Sequence, residues 1–84
     1  KLTVPLEKVV SGTTVTIDRI PEDERELLEY FVANQVMPGI RALVKDAAPY
    51  RGVVTLNTGA GDVVVSYEVA QRIWVTPVGV PKVE

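Results

Sequence analysis

The segment that decides the fold runs Pro21-Glu-Asp-Glu-Arg-Glu-Leu-Leu-Glu-Tyr-Phe-Val-Ala-Asn34 and is followed shortly by Val36-Met-Pro-Gly39. Asp23 is a favourable N-cap residue, and Glu26 three residues later completes the pattern of a capping box. Asn34-Gln35 ends the helix, and the Pro-Gly pair of the second stretch prevents its continuation, because proline lacks the backbone N–H that a further turn needs. The sequence therefore predicts one α-helix over 21–34, with acidic residues at its entrance.

This helix also carries an apolar stripe. Four apolar residues recur at the spacing of one helical face: Leu27, Leu28, Phe31 and Val32. Such a stripe indicates a helix that buries one face against another element and exposes the opposite face. We therefore expect these four side chains to belong to the core, packed on a sheet.

Strand patterns lie on both sides of the helix. Residues 13–20 alternate, with Val15 and Ile17 on one face and polar residues on the other, as in a half-buried strand. Four more strands are predicted after the helix, over 41–47, 53–57, 62–66 and 73–76. A glycine-rich hairpin is predicted at 58–61 and a single helical turn at 67–72.

Five short strands cannot form a broad sheet with protected edges, but they can curl into a small barrel that removes most of the edges. A short turn just before the last strand is typical of Src-homology-3-like (SH3-like) barrels. The predicted fold is therefore mainly β: a small SH3-like five-stranded barrel with one α-helix between the first and second strands. We expect the barrel to cover residues 1–77 and a C-terminal tail to cover 78–84.

Composition argues against catalysis. The 84 residues suffice for one domain. The chain has no cysteine and no histidine, so it lacks disulfides, thiolate metal ligands and the commonest general base. Neither Ser11 nor Ser66 has a histidine to activate it as a nucleophile. We therefore expect that the protein is not an enzyme.

Charge and hydropathy limit the partners. The formal net charge is −2, and the nine basic residues are scattered along the chain, which argues against direct binding of nucleic acid. No apolar run approaches the roughly 18–20 residues that span a bilayer, and no signal peptide opens the chain. We expect no membrane insertion and a cytoplasmic location. Because the chain begins at Lys1 rather than Met, we expect one domain of a longer protein.

Acidic residues are concentrated at the helix entrance. Five of the eleven acidic residues lie within eight positions: Glu22, Asp23, Glu24, Glu26 and Glu29. Three interpretations stay open, one of which is a self-sufficient metal site formed by these carboxylates alone. Acidic residues at a helix N-terminus are stabilised by the helix macrodipole, by about 0.3–1 kcal/mol each. Carboxylate oxygens also bind hard divalent cations, and a partial site here would be completed by ligands from another domain.

Aromatic residues form a second candidate site. Alternation places Trp74 on the face opposite to Ile73 and Val75, so Trp74 is at least partly exposed if those two are core. With Tyr50 or Tyr67 it would form an aromatic docking surface for a protein or peptide. In the alternative interpretation, Trp74 covers the mouth of the barrel under the C-terminal tail.

Several short motifs resemble one known family in both order and spacing. They are Ser11-Gly-Thr-Thr-Val-Thr-Ile17, Arg19-Ile-Pro-Glu-Asp23, Val36-Met-Pro-Gly39, Ala48-Pro-Tyr-Arg-Gly52 and Val69-Ala-Gln-Arg-Ile-Trp-Val75. Together they resemble the FeoA-type barrel over nearly the whole chain up to Pro77. This fold occurs in two settings: as the C-terminal domain of DtxR-type metal-dependent transcriptional repressors, and as the free-standing FeoA protein that accompanies a ferrous-iron transporter.

The resemblance to the repressor setting is closer, through Arg19-Ile-Pro-Glu-Asp-Glu24 and Asp46-Ala-Ala-Pro-Tyr50. It implies an accessory C-terminal domain that lends ligands to an ancillary Fe²⁺ or Mn²⁺ site shared with another domain. The candidate ligands are Glu22, Asp23 and Glu24, and no metal is expected on the isolated chain. It also implies that a winged helix elsewhere binds DNA and that a middle domain forms a homodimer. The alternative is a stand-alone FeoA-like cytoplasmic partner of a ferrous-iron transporter.

The chain departs from the family pattern at two positions. The resemblance places either Glu24 or Arg25 near the position of a second ligand. If Arg25 holds that position, the ancillary site is weakened, because Arg25 cannot bind a cation. Gln35 stands where the family usually has glycine after the helix. A left-handed conformation there would cost glutamine roughly 1 kcal/mol relative to glycine, and we expect Asn34 to take that conformation instead.

Overall fold

A computed structural model describes residues 3–78, except that the side chains of 48 and 49 are left undescribed. Six strands are observed: β1 Val4–Pro5, β2 Thr14–Arg19, β3 Arg41–Ala48, β4 Val53–Asn57, β5 Asp62–Ser66 and β6 Trp74–Pro77. Two α-helices, α1 Arg25–Ala33 and α2 Tyr67–Ala70, and two 3₁₀ turns, Leu6–Lys8 and Pro49–Arg51, connect them. The five strands expected from the sequence are present, each within one residue of its expected bounds.

The six strands form one antiparallel sheet in the order β1-β6-β2-β3-β4-β5. The register shifts in β2 between Ile17 and Arg19 and in β3 between Val44 and Asp46. Bulges of this kind bend a strand and increase its twist. The prediction of a mainly β, SH3-like domain with one helix between its first two predicted strands is confirmed.

The strand that the sequence analysis missed is β1. It has only two residues, and it pairs with β6 through Val4 opposite Val75 and Pro5 opposite Trp74. Proline cannot donate to a strand ladder, so it is confined to edge strands or strand ends. A two-residue edge strand that contains proline gives no alternating pattern to detect.

The core lies on the inner face of the sheet, and Leu6 of the first 3₁₀ turn, Phe31 of α1 and Ala70 of α2 are buried in it. Its buried apolar residues are Leu6, Val9, Val15, Ile17, Phe31, Val36, Ala42, Val44, Val54, Leu56, Val63, Val65, Ala70, Ile73 and Val75. Full burial of one such larger side chain stabilises the fold by about 1.5–3 kcal/mol. Phe31 is the largest of the fully buried side chains, and it joins α1 to the core.

The start of α1 differs from the expectation. The helix begins at Arg25, and its N-cap residue, Glu24, makes no side-chain capping hydrogen bond. The capping box predicted from Asp23 and Glu26 is wrong, because the Asp23 carboxylate accepts a hydrogen bond from Arg72 instead. The cap position therefore falls one residue later than the sequence pattern indicates.

The apolar stripe of α1 is narrower than predicted. Phe31 is fully buried and Leu27 packs against the core, but Leu28 is only half-buried. The prediction that Val32 belongs to the core is wrong, since half of its surface is exposed. A helix of nine residues has only two and a half turns. Phe31 is therefore the one fully buried residue of α1.

The end of α1 is a Schellman motif. The backbone N–H of Gln35 donates to the carbonyl of Val32, and the N–H of Val36 donates to the carbonyl of Phe31, at 3.1 and 2.8 Å. Gln35 takes the left-handed conformation, with φ at 62°. The expectation that Asn34 does so is wrong, since its φ is −106° and its side chain donates to the carbonyl of Tyr30.

One backbone hydrogen bond lies just after the predicted boundary between the barrel and the tail. The backbone N–H of Val78 donates to the carbonyl of Thr14 at 2.8 Å, so the first residue of the predicted tail still bonds to β2. The rest of that tail lies outside the described residues. Within residues 3–78, no helix is long and apolar enough to cross a membrane.

Candidate functional site

The acidic entrance of α1 lies in the connection from β2. Pro21 is buried and fixes the start of this segment, while the side chains of Glu22, Asp23 and Glu24 are exposed. The Asp23 carboxylate pairs with the Arg72 guanidinium, which lies in the turn between α2 and β6. The entrance of α1 is thereby joined to the turn that leads into the last strand.

The ion pair also fixes the charge of Asp23. The hydrogen bond from Arg72, and then one from the backbone N–H of Asp23, hold the pKa of this carboxyl below its usual value of 3.8. Both bonds favour the ionised form. The Asp23 carboxylate is therefore an anion whose partner is already present in the fold.

A second contact joins β2 to the last strand just before this segment. The guanidinium carbon of Arg19 lies 5.6 Å from the centroid of the Trp74 ring, within the range of a cation–π interaction. Arg19 and Trp74 are cross-strand partners in the β2–β6 pair. Residues 20–22 thus lie between two contacts, Arg19–Trp74 and Asp23–Arg72.

The entrance does not make a complete metal site. Hard divalent cations take about six or more oxygen ligands. Glu22 and Glu24 form no ion pair with another described residue, and Asp23 is paired with Arg72. Within residues 3–78, no group of three or more acidic side chains is placed to hold a metal ion. Among the described residues, Glu22 and Glu24 are therefore not joined by enough neighbouring ligands to hold a cation.

The aromatic candidates lie on different elements. Trp74 is half-buried on β6, between the fully buried Ile73 and Val75, so the expected alternation is confirmed. Tyr50 is 88% exposed in the 3₁₀ turn after β3. Tyr67 is half-buried at the start of α2 and packs against the core. No described ring contact joins these three side chains, since the one ring pair in residues 3–78 is formed by Tyr30 and Phe31.

Two residues of this region, Arg19 and Arg72, were missed by the sequence reasoning. A signal for Arg19 existed: Val15 and Ile17 face inward, so strict alternation would send the Arg19 charge into the core. A charge at an inward position indicates a bulge, which β2 indeed has. No sequence signal indicated Arg72, because it pairs with Asp23 across 49 positions of the chain.

Comparison with known proteins gives a family and a fold. The family model described as the FeoA domain matches residues 4–77. A manganese-dependent transcriptional repressor superposes with a TM-score of 0.83 at 23% identity, over 93% of this chain and 42% of the repressor. The chain therefore spans about two fifths of that protein.

Free-standing proteins are similar as well. An iron uptake regulatory protein (FeoA) superposes with a TM-score of 0.75 at 18% identity, over 93% of this chain and 100% of that one. A FeoA-like protein from Clostridium acetobutylicum superposes with a TM-score of 0.78 at 14% identity, over 100% of this chain and 96% of that one.

These identities are below 25%, so the structural similarities establish the fold alone. Among curated proteins, none gives a significant sequence match. The family model spans most of the chain, from β1 to the end of β6. The chain belongs to the FeoA domain family.

Proposed function

We propose that this FeoA domain is the accessory domain of an iron- or manganese-dependent transcriptional repressor, where it tunes activation by metal. Its similarity to the manganese-dependent repressor, with a TM-score of 0.83, supports this function. The observation that carries the proposal is the pair of exposed carboxylates, Glu22 and Glu24, at the entrance of α1. They are available to a cation held jointly with another domain.

In this proposal the residues of the chain have distinct tasks. Glu22 and Glu24 supply oxygen ligands to an Fe²⁺ or Mn²⁺ site that a neighbouring domain completes. Asp23, which the sequence grouped with them, is held by Arg72 and fixes the segment that carries the two glutamates. Neither task requires catalysis, so the domain has a regulatory role and is not an enzyme.

The remaining functions of such a repressor belong to other domains. The scattered basic residues of this chain and its net charge of −2 do not suit direct contact with DNA. In the proposal, a winged-helix domain binds the operator and a middle domain forms the homodimer. The protein acts in the cytoplasm.

The test is metal binding by the full-length protein that carries this domain. We expect the double variant E22Q/E24Q to weaken Mn²⁺ binding by at least tenfold, since two ligand oxygens lose their charge. E29Q is the matched control, because Glu29 is exposed on α1 beyond the entrance. If the double variant binds Mn²⁺ as tightly as E29Q does, the two glutamates are not ligands and the proposal fails.

A second function is favoured by a different observation. The chain covers 100% of a free-standing FeoA protein and 96% of the FeoA-like protein from Clostridium acetobutylicum. The domain would then be a cytoplasmic partner of a ferrous-iron transporter, with no metal site of its own. The reading frame separates the two functions: a winged-helix domain upstream supports the repressor, and a frame limited to this domain supports the transporter partner.

A further inference from the structure

We propose that Arg19 and Trp74 form a docking site for the carboxylates of an acidic segment in a partner protein. This site is separate from the proposed metal ligands, and it does not require that the metal proposal hold. Three observations carry it: the bulge that turns Arg19 outward, the contact between its guanidinium and the Trp74 ring, and the absence of an ion-pair partner among the described carboxylates.

The first observation is the bulge in β2. Ile17 pairs with Val75 and both are fully buried, whereas the next register pair joins Arg19 to Trp74. One extra residue, Asp18, is inserted between these two pairs. Strict alternation would place Arg19 on the same inner face as Ile17. The bulge instead brings Arg19 to the outer face beside Trp74, and bulges are enriched where a strand re-aims a functional side chain.

The second observation is the row of side chains across three strands. Trp74 on β6 has Pro5 of β1 as one cross-strand partner and Arg19 of β2 as the other. The guanidinium carbon lies 5.6 Å from the indole centroid. A cation–π attraction of this kind holds the guanidinium beside the ring without a carboxylate partner. A side chain restrained by such a contact loses less entropy when it binds a carboxylate.

The third observation is the pairing of the basic side chains. Four of those in the described part of the chain have an acidic partner: Lys8 with Glu7, Lys45 with Asp62, Arg51 with Asp46 and Arg72 with Asp23. Arg19 forms no ion pair with a described carboxylate, although Asp18 is its neighbour in sequence. Asp18 accepts a hydrogen bond from the Thr76 hydroxyl, and Asp23 binds Arg72.

These features together define the occupant. A planar guanidinium with free N–H groups binds a carboxylate through two parallel hydrogen bonds, and the adjacent indole and Pro5 provide apolar contact area. The domain carries a net charge of −2, which disfavours a long polyanion such as nucleic acid. A short acidic peptide segment requires only a local positive group.

The experiment uses the emission of Trp74, which is the single tryptophan of the chain. The chain is titrated with an acetylated, amidated tetraglutamate peptide, with tetraglutamine as the neutral control. We expect a saturable change in emission with tetraglutamate, with a dissociation constant on the order of 1 mM, that weakens several-fold as the salt concentration rises. Tetraglutamine should give no saturable change in the emission of Trp74. Equal binding of the two peptides would overturn the proposal.

Two variants locate the site. R19Q should weaken tetraglutamate binding by at least fivefold. R41Q is the matched control, because Arg41 is also exposed without a described acidic partner but contacts no ring, and it should bind as the unchanged chain does. Thermal melting confirms that both variants fold. If R19Q and R41Q lose the same affinity for tetraglutamate, the effect comes from net charge alone. If the chain binds hexathymidine more tightly than tetraglutamate, the site binds nucleic acid. Either result contradicts the proposal.

Discussion

The Arg72 guanidinium donates a hydrogen bond to the Asp23 carboxylate, and this bond joins the entrance of α1 to the turn before β6. The two residues are 49 positions apart in the chain. The pair explains why the helix starts later than its capping pattern indicates. In the segment just before α1, it leaves Glu22 and Glu24 as the carboxylates that have no described ion-pair partner.

The first prediction concerns the pH dependence of stability. The pKa of Asp23 is lowered in the folded state from 3.8, so the unfolded chain binds this proton more readily. The stabilisation is present above about pH 4 and is lost as the pH falls below 3.8 toward the folded-state value. D23N should therefore unfold at a lower urea midpoint than the unchanged chain at pH 6. As the pH falls, the urea midpoint of D23N should also decrease less than that of the unchanged chain.

Asp62 provides the comparison for that experiment. Hydrogen bonds from Asn57 and from Lys45 lower its pKa as well, so D62N should remove a separate part of the acid-dependent decline. The urea midpoints of the two single variants and the double variant are measured from pH 6 to pH 2. If the urea midpoint of D23N decreases in acid as steeply as that of the unchanged chain, Arg72 does not stabilise the ionised form of Asp23.

The second prediction concerns the left-handed residue after α1. Gln35 has a φ of 62°, which glycine adopts without the strain that a Cβ atom introduces. Q35G should therefore raise the free energy of unfolding by about 1 kcal/mol. N34G is the control, because Asn34 is not left-handed and its side chain bonds to the carbonyl of Tyr30. Urea denaturation should show Q35G stabilised and N34G destabilised, and the opposite order would refute the assignment.

The third prediction separates the two apolar faces of α1. F31A should lower the free energy of unfolding by about 3–5 kcal/mol, since Phe31 is fully buried in the core. V32A should change it by less than about 0.5 kcal/mol, because half of the Val32 surface is exposed. If F31A does not fold, F31L still gives a graded loss. A similar loss in V32A and F31L would mean that both residues belong to the core.

Much of the sheet could be predicted from the sequence, because strands that bury one face show an alternation of apolar and polar residues. In β4, for instance, Val54 and Leu56 face the core while their neighbours are partly exposed. β1 was not predicted, because a strand of two residues, one of them proline, is too short to show an alternating pattern. The cap of α1 was misplaced because the sequence pattern of Asp23 and Glu26 describes a local bond, whereas the observed bond to Arg72 depends on the tertiary fold.

In the candidate site, likewise, some residues could be predicted from local sequence and others could not. Glu22, Asp23 and Glu24 were found from their local clustering, and Trp74 from the alternation of β6. Their partners Arg72 and Arg19 depend on long-range pairing and on a bulge. A single sequence does not specify either of these, although the inward register of Arg19 pointed to the bulge.

The central claim is that this domain supplies carboxylates to a shared metal site and does not hold a metal alone. Calorimetric titration of the isolated chain with Mn²⁺, beside a titration of the full-length protein, tests it most directly. We expect no saturable heat for the isolated chain up to about 1 mM Mn²⁺ and clear binding by the full-length protein. Stoichiometric binding of Mn²⁺ to the isolated chain at micromolar concentration would contradict it.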